Sequence, residues 1–184
     1  LSTIRVLAEA IQAKDPFLRG HSEEVSDYVS AVAHRMGLDA KRREQLTIGS
    51  LLHDLGKIGI SERILHKPAR LTQEEFAIIQ LHPRIGYRLI EQVPALAPIA
   101  PAILHHHERY DGGGYPTGLK GEQIPLEARI IFACDAFHAM TTDRPYRRRL
   151  SADEALRRLE DAAGSQFDPT IVAICLRLLE APAA

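Results

Sequence analysis

The sequence lacks the features that mark several specialised classes of protein. It has two cysteines, Cys134 and Cys175, and no tryptophan in 184 residues. Two cysteines exclude the disulfide framework of a small secreted domain. Both lie in apolar helical patterns, so we expect buried free thiols in a reducing compartment and a cytoplasmic protein. No apolar run approaches the ~20 residues that a membrane-spanning helix needs, which excludes a transmembrane segment.

An excess of charge of one sign is also missing. The chain has 23 Lys and Arg against 24 Asp and Glu, and its formal net charge is −1. A surface that binds duplex nucleic acid needs a positive excess, so duplex binding is not indicated. The chain begins at Leu1 without a methionine and already within a helical pattern. We therefore expect residues 1–184 to be a single domain cut from a longer protein, with a regulatory domain upstream.

Helical periodicity dominates the sequence, and no segment predicts a convincing strand. The pattern predicts an all-α fold. Two predicted helices carry apolar stripes over 4–11 and 25–36, and a third runs from an N-cap at Asp39 to Gly56. Capping boxes over 72–75 and 151–154 each predict the start of a helix. Further helices are predicted over roughly 98–107, over 126–141 and from Asp168 onwards. Residues 108–125 hold five glycines and two prolines, which predicts one long loop.

Imidazole and carboxyl groups interrupt two very apolar helical segments. His53 and Asp54 follow Gly-Ser-Leu-Leu, and Asp135 follows Ile-Ile-Phe-Ala-Cys. Burying such groups is costly unless they are paired or bind a metal. Asp135 could instead form an ion pair with Arg129 or Arg144. Imidazoles and carboxylates together suit Zn, Fe, Mn, Ni or Co, and a pair of such metals can clamp a phosphoryl group and activate water.

Residues 105–116 read HHHERYDGGGYP. Adjacent residues on a helix point about 100° apart, so His105, His106 and His107 cannot all face one cleft. Spacing alone allows either His105 and His106, or His106 and His107, to face the cleft. We expect Glu108 and Asp111 to hold the following loop rather than bind a metal.

These motifs carry a family resemblance. His53-Asp54-Leu-Gly-Lys57, with His21 upstream and Asp135 downstream, resembles the HD phosphohydrolase superfamily. Residues 106–116 resemble the HD-GYP family, as do His82-Pro83 and the stretch Asp-Arg-Pro-Tyr-Arg at 143–147. The match extends from about Asp15 to Asp168.

The resemblance implies a helical HD bundle with a long Gly-rich loop and a bacterial second-messenger activity. The implied enzyme hydrolyses cyclic-di-GMP to pGpG, with GMP left open as a further product, through two divalent metals. Fe or Mn is implied, and Zn, Ni and Co also suit the ligands. One metal would be held by His21, His53, Asp54 and Asp135, and the other by Asp54, His82, His106 and His107, with Asp54 bridging. His105 is left as a flanking residue.

The resemblance also implies how substrate is bound. Lys57 would face the metal cleft and bind a phosphate oxygen or assist the leaving oxygen, so it joins Asp54 as a catalytic candidate. Arg144 and Arg147 match phosphate-binding positions, since the planar guanidinium binds phosphate oxygens in pairs. Gly114 and Tyr115 would approach the nucleotide. The family also links this loop with protein partners such as diguanylate cyclase domains.

The sequence departs from the family at Phe17, Leu18 and His138, with Leu18 in place of the usual Thr. Phe17 stands where three-metal members have Glu, so we expect two metals. His138 stands where an Asp is common, three residues after Asp135 and on the same helix face. It could be an extra ligand, a hydrogen-bond partner of a ligand or an intruding cation. These departures motivate an alternative, a weakly active or inactive domain that senses cyclic-di-GMP or docks onto a partner. A phosphohydrolase for a mixed cyclic dinucleotide is a third reading.

Overall fold

The computed structural model describes residues 4, 6, 8, 20–143 and 148–179. Within these ranges no β-strand forms, so the predicted all-α class is confirmed. The α-helices whose bounds are described are α1 (His21–Arg35), α2 (Ala40–Leu52), α3 (Glu62–Leu65), α4 (Gln73–Ile79), α5 (His82–Ile90), α6 (Ala100–His105), α7 (Leu126–Thr141), α8 (Ala152–Asp161) and α9 (Pro169–Leu179). Short 3₁₀ helices cover Leu55–Gly59, Ala97–Ile99 and Gly121–Gln123.

Two apolar clusters hold the helices together. The larger cluster joins α1, α7, α8 and α9 around fully buried residues such as Val29, Ile130 and Leu159. The smaller cluster joins α2, α5 and α6 around Leu52 and Ile103. Helix α1 packs on both α2 and α7, and α5 packs on α6 and on the 3₁₀ turn at 55–59. The two clusters therefore bring the ends of several helices to one place.

Polar side chains cap the helices at the predicted positions. Asp39 accepts a hydrogen bond from the backbone N–H of Arg42 at 2.9 Å, and Thr72 and Glu75 form a reciprocal capping box. Asp168 accepts from the N–H of Thr170 at 2.8 Å and also binds the guanidinium of Arg129. Because Arg129 is engaged by Asp168, the interpretation that pairs it with Asp135 is wrong.

The helix predicted to continue to Gly56 ends earlier, at Leu52, and the chain turns into the 3₁₀ helix. The reason is a close approach between two backbones. A Cβ on Gly56 would lie 1.8 Å from the carbonyl oxygen of His82 and 2.6 Å from the N of Gly86. The turn directs His53 and Asp54 towards the start of α5. The helix predicted over 98–107 likewise begins as a 3₁₀ turn and ends at His105.

Several sequence predictions fall outside the described residues: those on Phe17, Arg144 and Arg147, and much of the apolar stripe over 4–11. Cys134 and Cys175 are buried free thiols, as predicted. None of the helices in the described ranges is both long and apolar enough to cross a membrane.

Candidate metal centre

The predicted ligands come from five separate parts of the fold and meet in one place. His21 and His82 are the first residues of α1 and α5, and Asp135 lies in the middle of α7. His53 and Asp54 directly follow α2, and His106 and His107 directly follow α6. Within the described residues, two groups could each hold a metal ion: Asp54, His82, His106 and His107, and His21, His53 and Asp54.

Asp54 belongs to both groups, and its two oxygens point towards different partners. Oδ1 lies 3.4 Å from Nε2 of His82, whereas Oδ2 lies 3.5 Å from Nε2 of His53. A carboxylate in this orientation offers one oxygen to each of two neighbouring sites. The arrangement is what a bridging ligand between two metals requires.

Three of the histidines are fixed in the same way. Nδ1 of His53, His82 and His106 lies 2.7 Å from the backbone carbonyl oxygen three residues earlier, in Ser50, Ile79 and Ile103 respectively. A carbonyl oxygen can only accept, so each Nδ1 carries the hydrogen and donates it. Each Nε2 is then left with a lone pair that points into the cluster, which is the tautomer that a metal ligand needs.

This tautomer leaves unprotonated Nε2 atoms close together, as expected of residues that bind a metal. Nε2 of His82 and Nε2 of His106 lie only 3.3 Å apart, with two lone pairs facing each other. Nε2 of His53 is buried and makes no hydrogen bond within the described part of the chain. Buried acceptors without donors are costly, and a cation among them removes that cost. The donor set, imidazole nitrogens with carboxylates, therefore fits divalent transition metals.

Asp135 and Lys57 complete the surroundings of Asp54. Oδ1 of Asp135 lies 3.2 Å from Nε2 of His21, so Asp135 is placed beside the group that contains His21. Nζ of Lys57 lies 2.6 Å from Oδ2 of Asp54, across the 3₁₀ turn rather than on a continued helix. The ammonium group of Lys57 therefore faces the candidate metal centre.

Burial controls the pKa values in the cluster. It lowers the pKa of His82 from 6.5 to about 4 and that of His107 to about 3, and it holds the pKa of His106 well below its usual range. Burial raises the pKa of Asp54, but electrostatic attraction from the ammonium group of Lys57, with smaller contributions from His53 and His82, outweighs burial and the pKa falls. The cluster thus favours neutral imidazoles beside an ionised carboxylate, which are the forms that bind metal.

The metal-free protein should lose stability as the pH falls from 6.5 to about 4. The folded pKa of His82, about 4, lies below its unfolded value of 6.5. In this window the unfolded chain binds protons that the folded chain does not, so acid favours unfolding. Urea unfolding with a chelator at pH 7.5, 6 and 5 measures the effect. A midpoint that is constant or rises on acidification would contradict it.

Glu108 holds the Gly-rich loop, as predicted, and belongs to neither group of candidate metal ligands. Its side chain is fully buried. Oε1 accepts hydrogen bonds from the N–H of Thr117 at 2.8 Å and from its hydroxyl at 2.6 Å, and Oε2 accepts from the N–H of Gly118 at 3.0 Å. Asp111, which is exposed, binds Arg109 at 2.7 Å and accepts from the N–H of Gly113 at 2.9 Å. Both acids therefore stabilise the conformation of the loop.

Two residues of the GYP loop, here residues 112–116, pack against the candidate ligands. The ring of Tyr115 stacks on His107 with 4.9 Å between centroids and 27° between planes. A Cβ on Gly114 would lie 2.2 Å from the N of Arg109 and 2.5 Å from the carbonyl oxygen of His107. Glycine at position 114 therefore allows the loop backbone to pack closely on residues 107–109 of the same chain.

His105 should be dispensable for metal binding, unlike its two neighbours. Its Nδ1 lies 3.2 Å from the hydroxyl of Thr117 and outside both donor groups. We expect His106→Ala and His107→Ala to lower the metal content by about one ion per chain, and His105→Ala to leave it unchanged. Plasma emission analysis of the dialysed proteins measures this. A loss of metal in His105→Ala equal to that in His106→Ala would contradict the assignment.

His138 is a hydrogen-bond partner of a candidate ligand, one of the three predicted alternatives. Its Nδ1 lies 2.8 Å from Nδ1 of His21, and its Nε2 lies 2.9 Å from Oε2 of Glu24. Burial and the neighbouring His21 lower the pKa of His138. Sequence reasoning missed Glu24, although its position three residues after His21 places both on one helix face.

Comparison with known proteins agrees with these motifs. A family model described as HD domain matches residues 5–171. The chain is 41% identical over 182 residues to the cyclic di-GMP phosphodiesterase response regulator RpfG of Xanthomonas campestris, covering 95% of this chain and 47% of that protein. It is 37% identical over 177 residues to a cyclic di-GMP phosphodiesterase of Thermotoga maritima, covering 95% of this chain and 48% of that protein.

A solved structure has the same fold. The crystal structure of the cyclic GMP-AMP specific phosphodiesterase V-cGAP3 of Vibrio cholerae superposes with a TM-score of 0.79 at 20% identity, covering 98% of this chain and 48% of that chain. The present chain spans about half the length of these relatives. With the matched domain, the motifs and the helical fold together, the chain belongs to the HD domain family and to its HD-GYP group.

Proposed function

We propose that this domain is a metal-dependent phosphodiesterase that hydrolyses cyclic-di-GMP to pGpG in bacterial second-messenger signalling. The observation that carries the proposal is the carboxylate of Asp54, whose two oxygens face two groups of imidazole nitrogens. The relatives named cyclic di-GMP phosphodiesterases support the choice of substrate. GMP as a second product is left to the experiment.

The proposed centre would hold two divalent metals, Fe or Mn, with Asp54 as a ligand shared by both sites. His21, His53 and Asp135 would complete one site, and His82, His106 and His107 the other. When bound, such a pair supplies Lewis acidity and a water of lowered pKa, the chemistry that hydrolyses phosphate diesters. The buried Nε2 atom of His53 and the facing Nε2 atoms of His82 and His106 support this ligand set.

Other residues would bind and orient the substrate. Lys57 carries a positive charge 2.6 Å from Asp54, so its ammonium group can neutralise a phosphate oxygen or donate a proton to the leaving oxygen. The stacking of Tyr115 on His107 supports a place for this ring at the edge of the centre. We also propose substrate contacts by Gly114, Arg144 and Arg147, and only the sequence motif supports them. Arg144 and Arg147 lie outside the described residues.

The proposal extends to the protein from which the domain comes. We propose that residues 1–184 form one HD-GYP domain of a longer cytoplasmic protein with an upstream regulatory domain. The GYP loop would offer a docking site for a protein partner such as a diguanylate cyclase domain. The relative named a response regulator, of which this chain covers 47%, supports a regulatory architecture.

A substrate panel tests the activity. Protein loaded with Mn²⁺ is given cyclic-di-GMP, 3′3′-cGAMP and linear pGpG, and products are separated by chromatography. We expect cyclic-di-GMP to be hydrolysed with the highest kcat/KM. Faster turnover of 3′3′-cGAMP would replace the proposed substrate with a mixed dinucleotide. Tight binding of cyclic-di-GMP without turnover would replace the enzyme with a sensor.

A further inference from the structure

We propose that His138 and Glu24 are positioning residues that fix the ring of His21 for metal binding. The inference rests on the proposed function, because it takes His21 as a ligand through Nε2. It concerns a candidate histidine ligand whose Nδ1 lies against a side chain rather than a backbone carbonyl. Its basis is a chain of hydrogen bonds from Glu24 through His138 to His21.

His21 is supported differently from three of the other candidate histidine ligands. His53, His82 and His106 each donate Nδ1–H to a backbone carbonyl three residues earlier. His21 is the first residue of α1, so no preceding turn of its own helix supplies such a carbonyl. Its Nδ1 instead meets Nδ1 of His138 at 2.8 Å. A backbone carbonyl cannot be removed by mutation, but this acceptor can.

The hydrogen positions follow from the groups at the two ends when Nε2 of His21, which lies 3.2 Å from Oδ1 of Asp135, is taken as a metal ligand. A neutral histidine that binds a metal through Nε2 carries its hydrogen on Nδ1 and must donate it. His138 must therefore accept at Nδ1, which requires its own hydrogen to be on Nε2. Nε2 of His138 lies 2.9 Å from the carboxylate oxygen of Glu24 and 3.2 Å from the hydroxyl oxygen of Thr142, both of which can accept. Glu24 thus selects the tautomer of His138 that His21 needs.

Burial shields the hydrogen bond between His138 and His21 from water. The side chains of His21 and His138 are each only 5% exposed, whereas Glu24 is 64% exposed. Water has little access to replace His138 as acceptor, so losing it would leave the Nδ1–H of His21 buried and unpaired. The exposed Glu24 contributes less, because solvent screens its bond. We expect a large effect from replacing His138 and a smaller one from replacing Glu24.

Binding of Mn²⁺ to matched variants tests the inference, with free Mn²⁺ followed by its EPR signal. The wild type should bind two ions per chain. His138→Leu removes the acceptor and should weaken one of the two sites by about 10- to 100-fold, leaving the other unchanged. His138→Asn places an amide oxygen near the position of Nδ1 and should restore binding. A purely structural role would lower the unfolding midpoint without separating the two sites.

Glu24→Ala and Glu24→Gln form a second pair that does not disturb the core. The alanine variant should weaken the same site, and the glutamine variant, whose amide oxygen still accepts, should not. Unchanged dissociation constants in His138→Leu and Glu24→Ala would overturn the inference. So would an equal weakening of both sites that His138→Asn fails to restore, or a wild type that binds fewer than two ions. A wild type that binds two ions without hydrolysing cyclic-di-GMP contradicts the proposed function only.

Discussion

Asp54→Asn is expected to abolish metal binding at both sites and to lower kcat/KM for cyclic-di-GMP at least about a thousandfold. Asp54 has one oxygen facing His82 and the other facing His53. An amide has no negative charge and offers only one good ligand oxygen, so neither site keeps its full set. Polarisation by metal ions is worth several kcal/mol, and 1.36 kcal/mol corresponds to a factor of ten in rate. Metal analysis and initial rates on the same protein measure both losses.

Asp111→Asn is the matched control for this substitution. Asp111 is exposed, belongs to neither donor group and is held by Arg109 at 2.7 Å. The same chemical change there should leave metal content at the wild-type value. An Asp54→Asn protein that keeps two metals would contradict the bridging role of Asp54. One that loses a single metal would assign Asp54 to one site only.

Gly56→Ala is expected to destabilise the domain by about 3 kcal/mol or more, at the upper end for overpacking, and to disturb metal binding. The new Cβ would lie 1.8 Å from the carbonyl oxygen of His82, a backbone atom that cannot rotate away. Relief requires α5 to move from the 3₁₀ turn. That movement separates His82, at the start of α5, from Asp54, just before the turn. Urea unfolding and metal analysis measure the two effects.

Gly49→Ala tests whether this effect is specific to position 56. Gly49 lies within α2, and its added Cβ would meet only side-chain atoms at ordinary distances, the nearest being Cδ1 of Ile131 at 3.7 Å. Replacing a helical glycine with alanine usually stabilises by about 0.5–1 kcal/mol. We expect Gly49→Ala to be neutral or stabilising. Equal destabilisation by both substitutions would contradict the steric explanation.

The helices could be predicted from local sequence signals, whereas the proximity of the candidate ligands could be predicted only from the family resemblance. Helix starts were predictable because caps such as Asp39 and Thr72 act within one turn. The helix α7 matches its predicted bounds because its apolar pattern is continuous from Leu126 to Thr141. The meeting of His21, Asp54 and Asp135 was not predictable from local pattern. It came from the resemblance, since the spatial proximity of such distant residues depends on tertiary packing.

Features that depend on contacts between distant backbones could not be predicted. The end of α2 at Leu52, rather than near Gly56, follows from the packing of the 3₁₀ turn on α5. The choice between three roles for His138 needed the positions of His21 and Glu24, which lie more than 100 residues away in sequence. Periodicity indicates which face a residue occupies, but not which residue of another helix will face it.

The most direct test of the account measures metal content and turnover on one sample. The wild-type domain is purified without oxygen, its metals are counted, and hydrolysis of cyclic-di-GMP is followed with and without a chelator. We expect two ions of Fe or Mn per chain, conversion to pGpG in proportion to the fraction that carries both, and no activity after chelation. Two bound metals without turnover, or undiminished turnover after their removal, would contradict the proposed function.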